Sequence, residues 1–94
     1  MKHIILLLFL FIGFVTFSQE DEKSMGYYCE GLFALMLGDY KEAEKQLTLA
    51  IENNEKVAQS HYIRAKTQAR LRNIEGCLDD INTSIKINPD NALP

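Results

Sequence analysis

A repeat period of about 34 residues runs through this chain and constrains its fold more than any other feature. One amphipathic segment begins at Gly38 and ends at Asn54, and a second begins one period later at Arg72 and ends at Asn88. Identical residues recur at the same separation in four pairs: Tyr28 and Tyr62, Leu37 and Leu71, Ile51 and Ile85, and Asn54 and Asn88. A period of this length is typical of a helix-turn-helix unit that stacks on the next unit. Stacked helix pairs form extended surfaces, so the period favours a binding function over catalysis.

The first of these units is predicted to contain two antiparallel helices. Residues 24–37 are mostly apolar after Glu30 and contain no helix breaker until Gly38, which suits the left-handed residue that ends a helix. Asp39 is then expected to cap the second helix, with Glu42 as its reciprocal partner. Apolar residues of the second helix fall on one stripe, formed by Ala43, Leu47, Ala50 and Ile51.

The second unit is predicted to repeat this arrangement. Residues 57–71 form the third helix, and Asn73 is expected to cap the fourth. Pro89 lies where a stop signal follows the last helical turn. Apolar residues recur every fourth position along the fourth helix, at Cys77, Ile81 and Ile85. The sequence therefore predicts an all-α fold of four helices.

Residues 1–18 differ from the rest of the chain and are interpreted as a signal peptide. A short basic start precedes an apolar run over residues 4–17, and the sequence becomes polar at Gln19. The run is shorter than the roughly 20 residues that a membrane-spanning helix requires. Thr16 and Ser18 place small residues before a cleavage site at Gln19. We expect an exported protein, periplasmic or secreted from a bacterial cell, with no membrane contact after cleavage. The alternative is an uncleaved anchor.

Composition excludes several classes of function. The chain has 94 residues and a net charge of −3, which indicates one small domain and gives no support for nucleic-acid binding. Cys29 and Cys77 have no spacing typical of a metal or redox site, and we expect both to be free thiols. His61 is expected to pack as a core side chain, and Asp79 and Asp80 to lie on a solvated helix face. With no catalytic, metal-binding or phosphate-binding pattern, we expect a non-enzymatic protein without cofactors.

The two units resemble tetratricopeptide repeats. The residues that match the family pattern are Tyr27, Gly31, Ala43 and Leu47 in the first unit and Ala65, Cys77, Ile81 and Pro89 in the second. The sequence departs from the pattern at Glu30, Ala34, Glu55, His61, Arg64, Gln68 and Arg72. The resemblance divides the chain into a polar linker at 19–23, a first unit at 24–57, a second unit at 58–91 and the start of a possible third unit at 92–94.

The resemblance also implies a binding surface. In such proteins the first helices of successive units line a concave groove that holds a peptide or a segment of another protein. Carried onto this chain, the groove comprises Tyr28, Leu32, Leu35, Met36, Tyr62, Lys66, Ala69 and Arg70. The alternative is that residues 32–36 belong to the core and that Lys66 and Arg70 are merely solvated.

Two further readings remain open at this stage. The chain is expected to be a scaffold for protein binding, but it could instead be a structural or assembly subunit of an envelope complex, or a fragment of a longer repeat protein. Stacked units bury each face against the next unit, so the fourth helix should leave Leu78, Ile81 or Ile85 partly uncovered. This predicts a possible homodimer through the C-terminal repeat face.

Overall fold

A computed structural model of the chain describes residues 21–91. The predicted signal peptide and the possible third unit at 92–94 lie outside the described residues. Within them, the chain forms four α-helices and a final 3-10 turn: α1 at 21–36, α2 at Tyr40–Asn53, α3 at Ala58–Arg70, α4 at Ile74–Ile87, and the turn at Pro89–Asn91. The prediction of an all-α fold with four helices is confirmed. Helix α1 includes residues 21–23, so it extends into the segment that was assigned to a polar linker.

The junction between α1 and α2 is a Schellman motif, in which two backbone N–H groups return to the end of the preceding helix. The N–H of Asp39 donates to the carbonyl of Ala34 at 2.9 Å, and that of Gly38 donates to Leu35 at 3.1 Å. Gly38 has a φ of 81°, the left-handed conformation that favours glycine. The predicted helix end at Gly38 is therefore confirmed.

The junction between α3 and α4 repeats this motif one period later. The N–H of Asn73 donates to the carbonyl of Gln68 at 2.8 Å, and that of Arg72 donates to Ala69 at 3.1 Å. Arg72 has a φ of 64°, so a residue with a Cβ adopts the conformation that Gly38 adopts in the first unit. The two units therefore have the same backbone conformation at this turn, although only the first unit has a glycine at the left-handed position.

The predicted N-caps of α2 and α4 are confirmed, but the predicted reciprocal bond in α2 is not. The Asp39 carboxylate accepts from the N–H of Glu42 at 3.3 Å, and Asn73 caps α4 in the same way. The reciprocal bond from Glu42 to Asp39 was a wrong prediction. The N–H of Asp39 already belongs to the Schellman motif, and the Glu42 carboxylate accepts from Gln46 at 2.8 Å instead.

The apolar core lies where α1, α2 and α3 meet. Ala34, Ala43 and Leu47 are buried there, with Tyr28, Leu35 and Ile63 packed against them. Gly31 allows α1 to approach α2 closely, because a Cβ at this position would lie 2.7 Å from Cγ of Leu47. The absence of a side chain at Gly31 therefore sets the separation of these two helices.

Helix α4 packs on α3 through polar residues. Its buried side chains are Asp80 and Ser84, whereas Ile81 and Ile85 are only half-buried. Ile74 and Leu78 are more than half exposed. The prediction that α4 leaves apolar side chains partly uncovered is borne out among the described residues.

Candidate functional site

The predicted groove residues occupy different environments on α1 and α3. On α1, Tyr28 and Leu35 pack against the core, Leu32 is half-buried, and Met36 is 83% exposed. The alternative assignment of residues 32–36 to the core therefore holds for Leu35 and in part for Leu32, but it is wrong for Met36. On α3, Tyr62 is half-buried, and the exposed groove residues are Lys66, Ala69 and Arg70.

A cavity of about 530 Å³ opens beside Tyr28, between residues 21–28 of α1 and the start of α3. The side chains of Met25, Tyr28 and Val57 form its apolar walls. Its polar lining residues are Asp21, Ser24, Asn54, Gln59 and Ser60. Tyr28 is therefore the one predicted groove residue that lines this cavity, while Met25 and Val57 had not been identified from the sequence.

Hydrogen bonds hold the α1 side of this cavity against the end of α2. Ser24 Oγ donates to the carbonyl of Ala50 at 2.9 Å in a buried position. Asn54 Nδ2 donates to Asp21 Oδ1 at 3.2 Å. Burial raises the pKa of the Tyr28 phenol, and the neighbouring Cys29 thiol contributes in the same direction. The Tyr28 phenol is therefore harder to ionise than that of an exposed tyrosine.

The basic end of the predicted groove lies on the exposed surface of α3. Lys66 Nζ lies 5.5 Å from the centroid of the Tyr62 ring, within the range of a cation–π contact. Lys66 and Arg70 are four residues apart and both exposed, so their charges lie on one helix face. This surface can attract an anionic group next to an aromatic one.

A buried ion pair joins α3 to α4, and the sequence did not predict it. Arg64 Nε donates to Asp80 Oδ2 at 2.7 Å, and Arg64 Nη2 donates to Asp80 Oδ1 at 2.8 Å. The guanidinium also donates to Thr48 on α2 at 3.3 Å. The hydrogen bonds to Asp80 raise the pKa of Arg64 above its ordinary value. One side chain therefore ties together α2, α3 and α4.

Asp80 corrects the expectation of a solvated acidic face. Asp79 is exposed as expected, but Asp80 is only 4% exposed because its side chain points toward α3. Neighbouring residues on a helix point about 100° apart, so one of two adjacent carboxylates can be buried while the other is solvated. The signal in the sequence was Arg64 itself, a charged residue at a position where the repeat pattern prefers Leu.

His61 is buried next to the ion pair, as predicted for a packing side chain. Its Nε2 lies 2.9 Å from the carbonyl of Glu55, and its Nδ1 lies 3.7 Å from Asp80 Oδ1. The imidazole bonds the α2–α3 loop to the centre of the bundle. No group of three or more potential metal ligands occurs among residues 21–91.

Both cysteines carry free thiols, in agreement with the prediction. Cys29 is exposed on α1, and Cys77 is half-buried on α4. Within the described part of the chain, none of the helices combines the length and apolar character that a bilayer crossing requires. A comparison with protein-family models found no family that matches this chain.

Proposed function

We propose that this chain is a tetratricopeptide-like scaffold that binds an extended segment of another protein along the groove between α1 and α3. The observation that carries the proposal is the cavity of about 530 Å³ between these two helices, with Met25, Tyr28 and Val57 as apolar walls. Helix termini that line an open apolar cleft beside polar side chains are typical of a binding site. The proposed activity is non-enzymatic and needs no cofactor.

The chemistry of the groove suggests the composition of its ligand. The cleft beside Tyr28 and Met25 can bury an apolar side chain, which contributes about 1.5–3 kcal/mol when burial is complete. Lys66 and Arg70 present two positive charges farther along α3. A segment with an apolar residue followed by an acidic group would satisfy both parts of this surface.

Charge reversal on the groove tests the proposal. The partner is first recovered by pull-down from the exported fraction, and its affinity is then measured by calorimetry. The double variant Lys66→Glu/Arg70→Glu should weaken binding roughly tenfold or more, because it places like charges opposite the acidic group.

The matched control is Lys41→Glu/Lys45→Glu, a pair of exposed lysines four residues apart on α2. It makes the same change in net charge outside the groove and should leave the affinity within about twofold. Equal losses in the two double variants would indicate a general charge effect. An unchanged affinity in the groove variant would show that the partner binds elsewhere.

A structural or assembly role is the second candidate, and the exposed face of α4 favours it. Ile74 is 61% exposed and Leu78 is 56% exposed on a helix whose buried side chains are polar. Exposed apolar patches of this kind mark interaction surfaces. For both candidates we further propose that the protein acts outside the cytoplasm after removal of residues 1–18, or as a segment of a longer repeat protein.

A further inference from the structure

Two helix faces at opposite ends of the bundle carry large apolar side chains that are more than half exposed. On α4 these are Ile74 at 61% and Leu78 at 56%. On α1 they are Phe33 at 60% and Leu37 at 69%. Among residues 21–91 nothing covers either pair.

Both exposed faces have an equivalent in the interface between α2 and α3 within the molecule. Helix α3 follows α1 by one repeat period, and α4 follows α2 by the same distance. Thr67 on α3 is fully buried, whereas its equivalent Phe33 on α1 is exposed. Leu47 on α2 is fully buried, whereas its equivalent Ile81 on α4 is only half-buried. The open α1 face is therefore equivalent to the surface of α3, and the open α4 face to the surface of α2, that meet at the α2–α3 interface within one molecule.

At two positions the open faces are more apolar than the equivalent positions of the α2–α3 contact. Phe33 stands at the position of Thr67, and Leu78 stands at the position of Glu44. A surface that only faced water would gain nothing from these replacements, since burial of apolar area is what stabilises such a contact. We propose that the α4 face of one copy packs against the α1 face of the next copy, in the geometry of the α2–α3 interface.

The register of this contact follows from the α2–α3 interface. Arg64 on α3 donates to Thr48 on α2, and the equivalent residues between copies are Glu30 and Asn82. Both Glu30 and Asn82 are exposed, and an amide N–H can donate to a carboxylate. Between copies, Asn82 on α4 would therefore donate to Glu30 on α1, whereas within the molecule the α3 residue donates to the α2 residue.

One helical turn farther along, the register pairs the exposed apolar residues. Gln68, one turn after Arg64, lines a common cavity with Glu44 and Thr48 on α2, so the internal helices run side by side over this turn. Because Ala34 is the equivalent of Gln68 and Leu78 that of Glu44, the same turn between copies aligns Ala34 with Leu78 and brings the neighbouring Phe33 alongside Leu78. On the next turn Gly38 aligns with Ile74, which brings the neighbouring Leu37 alongside Ile74, so both apolar pairs meet.

This contact joins two different faces, so it does not close as a symmetric dimer. A pair of copies keeps one free α1 face at one end and one free α4 face at the other, so the assembly grows head to tail. It differs from the homodimer through two C-terminal faces that the sequence suggested. It is also independent of the groove, because Lys66 and Arg70 lie on neither face.

Two single variants test the polarity of the contact. Phe33→Glu blocks the α1 face and Leu78→Glu blocks the α4 face. The protein is purified as processed by the exporting cell, and its mass distribution is measured by sedimentation velocity from micromolar to millimolar concentration. Ile87→Glu is the matched control, because Ile87 is 37% exposed on α4 and lies about 180° around that helix from Leu78, outside both open faces. Thermal melts in the dilute limit verify that all variants fold.

The wild type and Ile87→Glu should form oligomers that lengthen with concentration, whereas Phe33→Glu and Leu78→Glu should each be monomeric. A mixture of Phe33→Glu with Leu78→Glu should form a 1:1 dimer, since each variant retains the face that the other lacks. The proposal is overturned if the wild type stays monomeric at every concentration. It is also overturned if Phe33→Glu still dimerises while Leu78→Glu does not, which would indicate two α4 faces in contact.

Discussion

The Arg64 guanidinium on α3 binds the Asp80 carboxylate on α4 in a bidentate pair, with bonds of 2.7 and 2.8 Å. The Asp80 side chain is 6% exposed and that of Arg64 is 21% exposed, so water screens the pair only weakly. A buried pair of this kind adds little net stability relative to apolar residues, but the loss of one partner leaves the other charge uncompensated. The pair therefore specifies how α4 sits on α3.

Removal of the Asp80 charge should destabilise the fold strongly. Asp80→Asn keeps the shape of the side chain but leaves Arg64 with an unpaired charge. We expect a loss of about 3 kcal/mol in the free energy of unfolding, the low end of the range for a broken buried pair because Arg64 is partly exposed. The exposed neighbour provides a matched control, since Asp79→Asn should change stability by less than about 0.5 kcal/mol. Urea denaturation followed by circular dichroism measures both. Equal effects would mean that Asp80 is solvated in solution.

Replacement of Arg72 by glycine should stabilise the folded protein. Its φ of 64° places a Cβ in the left-handed region, which costs roughly 1–2 kcal/mol, while glycine loses more backbone entropy on folding. Arg72→Gly should therefore stabilise the protein by about 0.5–1 kcal/mol. Arg72→Ala is the control for loss of the charge and should give no gain, because alanine retains the Cβ. A similar gain for both variants in denaturant titrations would assign the effect to charge.

Gly31 and Gly26 both lie in α1 and should respond to alanine in opposite directions. A Cβ on Gly31 would approach Leu47 Cγ to 2.7 Å, whereas a Cβ on Gly26 would meet nothing within 4 Å. Gly31→Ala should destabilise the protein by about 1–3 kcal/mol through overpacking. Gly26→Ala should stabilise it by up to about 1 kcal/mol, since alanine is the better helix former.

Thermal melts report the glycine pair directly, with a shift of roughly 4–8 °C in Tm per kcal/mol for a domain of this size. They should be recorded at low protein concentration, because Gly26 lies two turns before Phe33 on the same side of α1, the side proposed to bind another copy. A gain in stability for Gly31→Ala would contradict this prediction. It would mean that Leu47 can move away from the added methyl group and that the fold does not depend on the close approach of α1 to α2.

Export should leave a chain that begins at Gln19. The apolar run at 4–17 and the small residues Thr16 and Ser18 motivate this cleavage site. Intact-mass measurement of the exported protein determines the new N-terminus. The variant Ser18→Phe replaces the small residue next to the cut and should abolish cleavage at this position. A membrane-retained product that still carried Met1 in the wild type would contradict the prediction.

Local features of the fold could be read from the sequence because they depend on residues close together in the chain. The helix end at Gly38 and the caps at Asp39 and Asn73 follow from backbone conformation and neighbouring side chains. Ala43 and Leu47 could be assigned to the core because their helical spacing places them on one face. The repeat also predicted that α4 would be partly uncovered.

The candidate groove was predictable only in part. Periodicity places Tyr28 and Tyr62 at equivalent positions, but it does not show that Tyr28 lines a cavity while Tyr62 lies beneath Lys66. Met25 and Val57 join the same cavity because the α2–α3 loop folds back beside α1. That arrangement depends on how the helices pack.

The sequence by itself determined that this chain forms two helix pairs related by one repeat period, since helix propensity, capping and apolar spacing act over a few neighbouring residues. Only the tertiary structure decided which side of α4 is buried. Apolar spacing placed Cys77, Ile81 and Ile85 on one stripe, yet the residues of α4 that are buried are Asp80 and Ser84. The physical reason is that Asp80 gains a partner in Arg64, 16 residues away in sequence, and such a partner becomes available only once two helices have packed.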